Sequence, residues 1–122
     1  MIKRIGLCAL ALVACILSIQ AQTQVIAHRG FWKTEGSAQN SITALEKAAE
    51  AKLYGSEFDV LMTVDGKMVV NHDNTIEGMI IPETSYKQLK KLKIKNGEKL
   101  PTLKNYLKRG KKLDIQLILE AK

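Results

Sequence analysis

The 122-residue sequence predicts an α/β domain built on a parallel sheet. Three observations carry this reading. Apolar runs end abruptly in polar residues, segments of helical period separate those runs, and the polar residues gather at strand ends, where such folds build their sites. With 46% hydrophobic and 25% charged residues and only two prolines, the composition excludes disorder and collagen-like repetition.

Residues 1–21 read as a signal peptide, which implies export to the periplasm or the medium. Lys3 and Arg4 precede a charge-free apolar run from Ile5 to Ile19, shorter than the roughly 20 residues that cross a bilayer, so no stable membrane span is expected. Cleavage is expected near Ala21. Leu12-Val13-Ala14-Cys15 offers lipid anchoring at Cys15 as the alternative, but apolar Ile16-Leu17 follows it instead of a polar tether. Cys8 and Cys15 both lie here, so residues 22–122 keep no thiol for a disulfide, a zinc site or a nucleophile.

The elements follow in order. Val25-Ile26-Ala27 is a buried strand that opens into a loop at His28-Arg29-Gly30. Asn40 or Ser41 caps a helix carrying Ile42, Leu45, Ala49 and Leu53, with Gly55 as its left-handed terminator. Ser56 to Thr63 is extended, Asp65-Gly66 is a two-residue turn, and Met68-Val69-Val70 returns as a hairpin. Pairing Val64 with Lys67 sets Asp59 across from His72 and Glu57 across from Asn74. Ser85-Tyr86-Lys87-Gln88 has capping-box form before a short helix with Leu89 and Leu92. Thr102 caps a further helix ended by Gly110, and Leu113 to Leu119 is a final strand closing on Glu120-Ala121-Lys122. That strand is nearly continuously apolar, which suits burial on both faces, yet nothing follows it to supply the cover. The chain therefore reads as the front part of a longer domain.

Charge is uneven. From Lys87 to Lys112 eleven Lys or Arg stand against the single acid Glu98. This segment has one aromatic, Tyr106, and its lysines fall on the outer faces of helices, so a solvated face is expected and a nucleic-acid partner is not.

Glu57, Asp59 and Glu120 could bind one hard divalent cation through oxygen, and His28 and His72 are the only histidines. Phe58 and Val60 fill the opposite face of the strand, so the acids point toward its mouth. Clustered buried carboxylates need a partner, and a metal ion is the simplest.

These pieces, His28-Arg29-Gly30, Glu57-x-Asp59-Val60, Thr63-x-Asp65-Gly66, Val69-Val70-x-His72-Asp73, Pro101-Thr102-Leu103 and Glu120-x-Lys122, resemble in order and spacing the glycerophosphodiester phosphodiesterase family. The match covers nearly all of Val25 to Lys122. The resemblance implies the N-terminal portion of a TIM (β/α)8 barrel over residues 22–122, truncated after an early barrel strand. It implies hydrolysis of a small-molecule glycerophosphodiester to glycerol 3-phosphate and an alcohol, with one calcium or magnesium ion. Glu57, Asp59 and Glu120 match the family's metal ligands, His28 and His72 its general acid and base in either order, and Arg29 and Lys122 its phosphate contacts.

Two departures stand out. The family's Pro-Glu-Asn is Ala38-Gln39-Asn40 here, so a carboxylate has become an amide, which bears on metal affinity and substrate choice. The second half of the barrel is missing, and a parallel sheet cut there exposes an edge, so the chain is expected to fold poorly alone or to self-associate. A reading of a different class is a truncated, non-catalytic module that holds anionic lipid or nucleic acid on its basic segment. Phe31 and Trp32 are candidates for lining the substrate mouth or, equally, for packing over the barrel rim.

Overall fold

The computed structural model describes residues 22–122; the signal peptide expected over residues 1–21, with Cys8 and Cys15, lies outside the described residues. The chain is mixed α/β. Strand β1 (Ile26–Ala27) leads through a loop to helix α1 (Ile42–Glu50), then to the central strand β2 (Gly55–Met62) and its partner β3 (Met68–Val70). A small hairpin of β4 (Thr75–Ile76) and β5 (Met79–Ile80) follows, then a 3-10 turn at Ile81–Glu83. Helix α2 (Tyr86–Leu89), helix α3 (Leu103–Leu113) and strand β6 (Gln116–Ala121) complete the order.

β2 organises the sheet. Gly55 pairs with both Ile26 and Gln116, and Val60 with both Val70 and Ala121. β6 therefore runs parallel along one edge, while β1 and β3 share the other in succession. β1, β2 and β6 are mutually parallel, as the sequence predicts, and among the described residues β6 has no partner on its outer edge.

Side chains alternate across β2. Phe58 and Val60 face α1 and α3, where they bury with Leu45, Val70 and Tyr106, and the Phe58 and Tyr106 rings stack at 4.5 Å. The other face carries Glu57, Asp59 and then Leu61. Leu61 belongs to a second core with Val69, Ile76, Ile81, Leu89 and Leu100, which plugs one end of the site face.

The caps of α1 and α3 fall on expected residues. Ser41 Oγ accepts from Ala44 N at 2.9 Å, and Thr102 Oγ1 accepts from Asn105 N at 3.2 Å. α1 has a second cap from far along the chain: the Glu98 carboxylate accepts from the Ile42 and Thr43 amides and the Thr43 hydroxyl. A negative charge at this end also meets the positive end of the helix dipole. Glu98→Ala is expected to destabilise the fold by about 1–2 kcal/mol, the size of a lost N-cap, read as a lowered urea midpoint with unchanged m-value. An unchanged midpoint would show that water replaces the carboxylate without cost.

Several boundaries differ from the sequence reading. α1 stops at Glu50, with Lys52 in the left-handed region, and Leu53 lies beyond it. Gly55 starts β2 because a Cβ there would meet Ile118 Cδ1 at 2.6 Å. Gly110 lies inside α3, against Leu117, and the helix ends on left-handed Asp114. Leu113 is therefore helical, and the last strand runs two residues past Leu119. It is also less covered than its composition suggests, with Leu119 47% exposed. α2 is one turn, without the backbone hydrogen bond of a capping box, and leaves Leu92 outside.

The β2–β3 hairpin is shifted by one residue. Leu61 opposes Val69, and Thr63 N donates to Lys67 O at 2.9 Å, so the loop holds Val64, Asp65 and Gly66. Gly66 takes a φ of +79°, the left-handed residue of a three-residue loop. The Asp65 carboxylate accepts from the Thr63 hydroxyl at 2.6 Å and the Tyr86 amide at 3.0 Å, bonds that hold its pKa below the ordinary carboxylate range.

Candidate functional site

The hairpin shift sets the composition of the site. Asp59 lies beside Asn71, whose amide donates to Asp59 O at 3.1 Å, instead of across from His72, and Glu57 is not paired with Asn74. A slip of one residue moves a side chain to the other face. His72 consequently points along the loop, with Nδ1 2.7 Å from Asp73 Oδ1. Asp73 is its one charged partner among the described residues.

The remaining predicted residues converge. β2 and β6 are in register, with Asp59 opposite Glu120, so Glu57, Asp59 and Glu120 each bring a carboxylate oxygen within 4.8 Å of the other two. Arg29 closes one side: its backbone N–H donates to Glu57 Oε2 at 2.9 Å, and its Nε stands 3.6 Å from Asp59 Oδ2. This needs a left-handed turn at Arg29, φ 59°, followed by Gly30, where a Cβ would come within 2.6 Å of Ala44 Cβ. Lys122 closes the other side, its Nζ 2.6 Å from Glu120 Oε1 and 3.1 Å from Asp59 Oδ1. The hydrogen bond to Glu120 first, and then the nearby Asp59 carboxylate, hold this ammonium above the ordinary lysine range. His28 Nε2 is 3.9 Å from Glu57 Oε2 on a largely exposed ring.

Asn40 anchors the centre. Its Nδ2 donates to Asp59 Oδ2 at 2.9 Å, and its Oδ1 accepts the Asp59 amide at 3.2 Å. Ser41 does the capping, so Asn40 serves as the orienting neighbour. Gln39 Oε1 accepts from Arg29 Nη1 at 2.9 Å, a contact that spacing alone does not reveal.

The donor set fits a divalent cation. Glu57 Oε1 is buried with no hydrogen-bond partner, and Asp59 Oδ1 has only the Lys122 ammonium, an ion pair without good hydrogen-bond alignment. Hard oxygen ligands bind calcium at about 2.3–2.6 Å and magnesium at about 2.0–2.1 Å, so two on one ion lie at most about 5 Å apart, as these three do.

Behind the site, on the helix face, the Tyr106 phenol is fully buried. Burial pushes its pKa up, and the Glu57 and Asp59 charges add to the shift. The basic segment thus presents no aromatic for base stacking, since Tyr106 is its single aromatic. Beside the site lies a cavity of about 830 Å³, whose walls include Trp32, Gln39, Asn40, His72, Ile76 and Ile94. His72 and Asn40 share this space. Among the described residues no helix is long and apolar enough to cross a membrane.

Comparison with known proteins yields one family, the glycerophosphoryl diester phosphodiesterase family, whose pattern matches residues 28–121. A glycerophosphodiester phosphodiesterase of Caldanaerobacter subterraneus is 37% identical over 67% of this chain and 38% of its own length. A crystal structure of a glycerophosphodiester phosphodiesterase from Parabacteroides distasonis is 62% identical, with a TM-score of 0.78 over 80% of this chain and 42% of that one. A phosphodiesterase from Oleispira antarctica, in complex with the product sn-glycerol-3-phosphate, is 27% identical with a TM-score of 0.74, covering 82% of this chain and 44% of that one. The chain spans about two fifths of the length of these relatives.

Proposed function

The chain belongs to the glycerophosphoryl diester phosphodiesterase family, and from that membership we propose that its site serves hydrolysis of glycerophosphodiesters to glycerol 3-phosphate and an alcohol. The domain, residues 22–122, is then the N-terminal portion of a (β/α)8 barrel, and residues 1–21 direct its export. The observation that carries the reading is the meeting of three carboxylates with Arg29 and Lys122 at the mouth of β2 and β6.

Charge arithmetic supports it. Three carboxylates against two cations leave one net negative charge; a divalent ion reverses that to one net positive, which matches the single negative charge of a phosphodiester. Glu57, Asp59 and Glu120 would hold calcium or magnesium, and such an ion, when bound, supplies Lewis-acid polarisation of a phosphoryl oxygen. Arg29 and Lys122 orient the phosphate and stabilise charge growing on its oxygens. Of His28 and His72, one takes the proton of the attacking hydroxyl or water as its oxygen bonds to phosphorus. The other protonates the alkoxide that leaves as the phosphorus–oxygen bond breaks. His72 stands on the cavity side of the site and His28 beside Glu57 on the β1 side.

The test is hydrolysis of glycerophosphocholine by the complete protein. The expected result is release of glycerol 3-phosphate, abolished by EDTA, restored by calcium or magnesium and lost in Glu57→Gln. Turnover that survives both EDTA and Glu57→Gln would remove the metal from the reading.

A further inference from the structure

Gln39 lies between the Arg29 guanidinium and the cavity. A guanidinium has five donors and no acceptor, so the end of the amide facing Arg29 Nη1 must be its oxygen, as the 2.9 Å contact has it. That fixes the other end. With Oε1 committed to Arg29, the two Nε2 hydrogens are directed away from the guanidinium, and Gln39 lines the cavity shared by Asn40 and His72. Among the described residues Nε2 has no hydrogen-bond partner.

We infer that Gln39 is a substrate-binding residue: its oxygen positions Arg29, and its amide N–H groups donate to an anionic phosphate ester entering from the cavity. The inference rests on the phosphodiesterase reading above and adds a contact to it. The family that the sequence resembles carries a glutamate at this position, so the contact with Arg29 tolerates a carboxylate; what Gln39 adds is a pair of N–H donors that a carboxylate lacks.

The discriminating variants are Gln39→Glu, nearly isosteric, and Gln39→Met, of similar length but neutral and without either polar group. Binding of sn-glycerol 3-phosphate to the complete protein, measured by calorimetry with calcium or magnesium present, is the main readout. Gln39→Met should weaken binding by about tenfold and Gln39→Glu by less, since the carboxylate keeps the contact with Arg29 while losing the donors to the charged ester. KM for glycerophosphocholine should rise in parallel with a smaller change in kcat, while urea midpoints stay near that of the wild type. Wild-type affinity in both variants would overturn the inference, and so would equal loss in both with a lowered urea midpoint, which marks a merely structural role. If the wild type binds the product but turns over no glycerophosphodiester, the hydrolytic reading fails, while the ranking of the two variants still decides the role of Gln39.

Discussion

Asp59→Asn is expected to lower glycerophosphocholine turnover by on the order of 10³-fold or more, because a Lewis acid contributes several kcal/mol of transition-state stabilisation and each ~1.4 kcal/mol is tenfold. Of the three proposed ligands Asp59 has the least freedom to be replaced. It is fully buried, Asn40 fixes one oxygen, and its charge is the one shared by Arg29 and Lys122. Removing that charge leaves two cations with less compensation. Both are partly solvated, so the loss of stability should stay below the ~3–5 kcal/mol of a broken, fully buried pair. Kinetics at saturating calcium and magnesium, alongside urea denaturation, separate the two effects. An asparagine variant with wild-type turnover would show that Glu57 and Glu120 suffice.

The second large effect falls on the histidines. His28→Gln should reduce kcat by about 10²–10⁴-fold, the usual contribution of a positioned acid or base, and remove one limb of the pH–rate profile. His28 is largely exposed and donates to no backbone group, so stability should be unaffected. His72→Gln should remove the opposite limb. The two profiles together assign acid and base. Loss of the same limb in both variants would mean that the histidines do not divide the proton work.

What the sequence discloses about this molecule is what is local. Ser41 and Thr102 read correctly as caps because an N-cap is a contact between residues three apart. The two carboxylates of β2 read correctly because period-two alternation needs only the strand itself. Gly55 and Gly110 misread as helix terminators because both make room for β6, which arrives from elsewhere in the chain. The hairpin misread for a subtler reason: Asp65-Gly66 signals a turn, but the Thr63–Lys67 bond adds Val64 to its loop and shifts every opposed pair. That one residue separates His72 from Asp59. The grip of Gln39 on Arg29 and of Glu98 on α1 has no local signal, since neither spacing nor residue type names a partner across the fold.

The placement of β2 also bears on the order in which the chain assembles. Its two parallel neighbours come from opposite ends of the described residues: β1 lies about thirty residues before it and β6 about sixty after, so both loops must close before their contacts compensate the entropy. The three carboxylates meet only when the later closure is made, since Glu120 rides on β6. On the proposed metal role, a cation would therefore have little to bind in a partly folded chain, and once bound would hold β6 against release by mass action. Cation affinity would thus act as a gauge of completed folding.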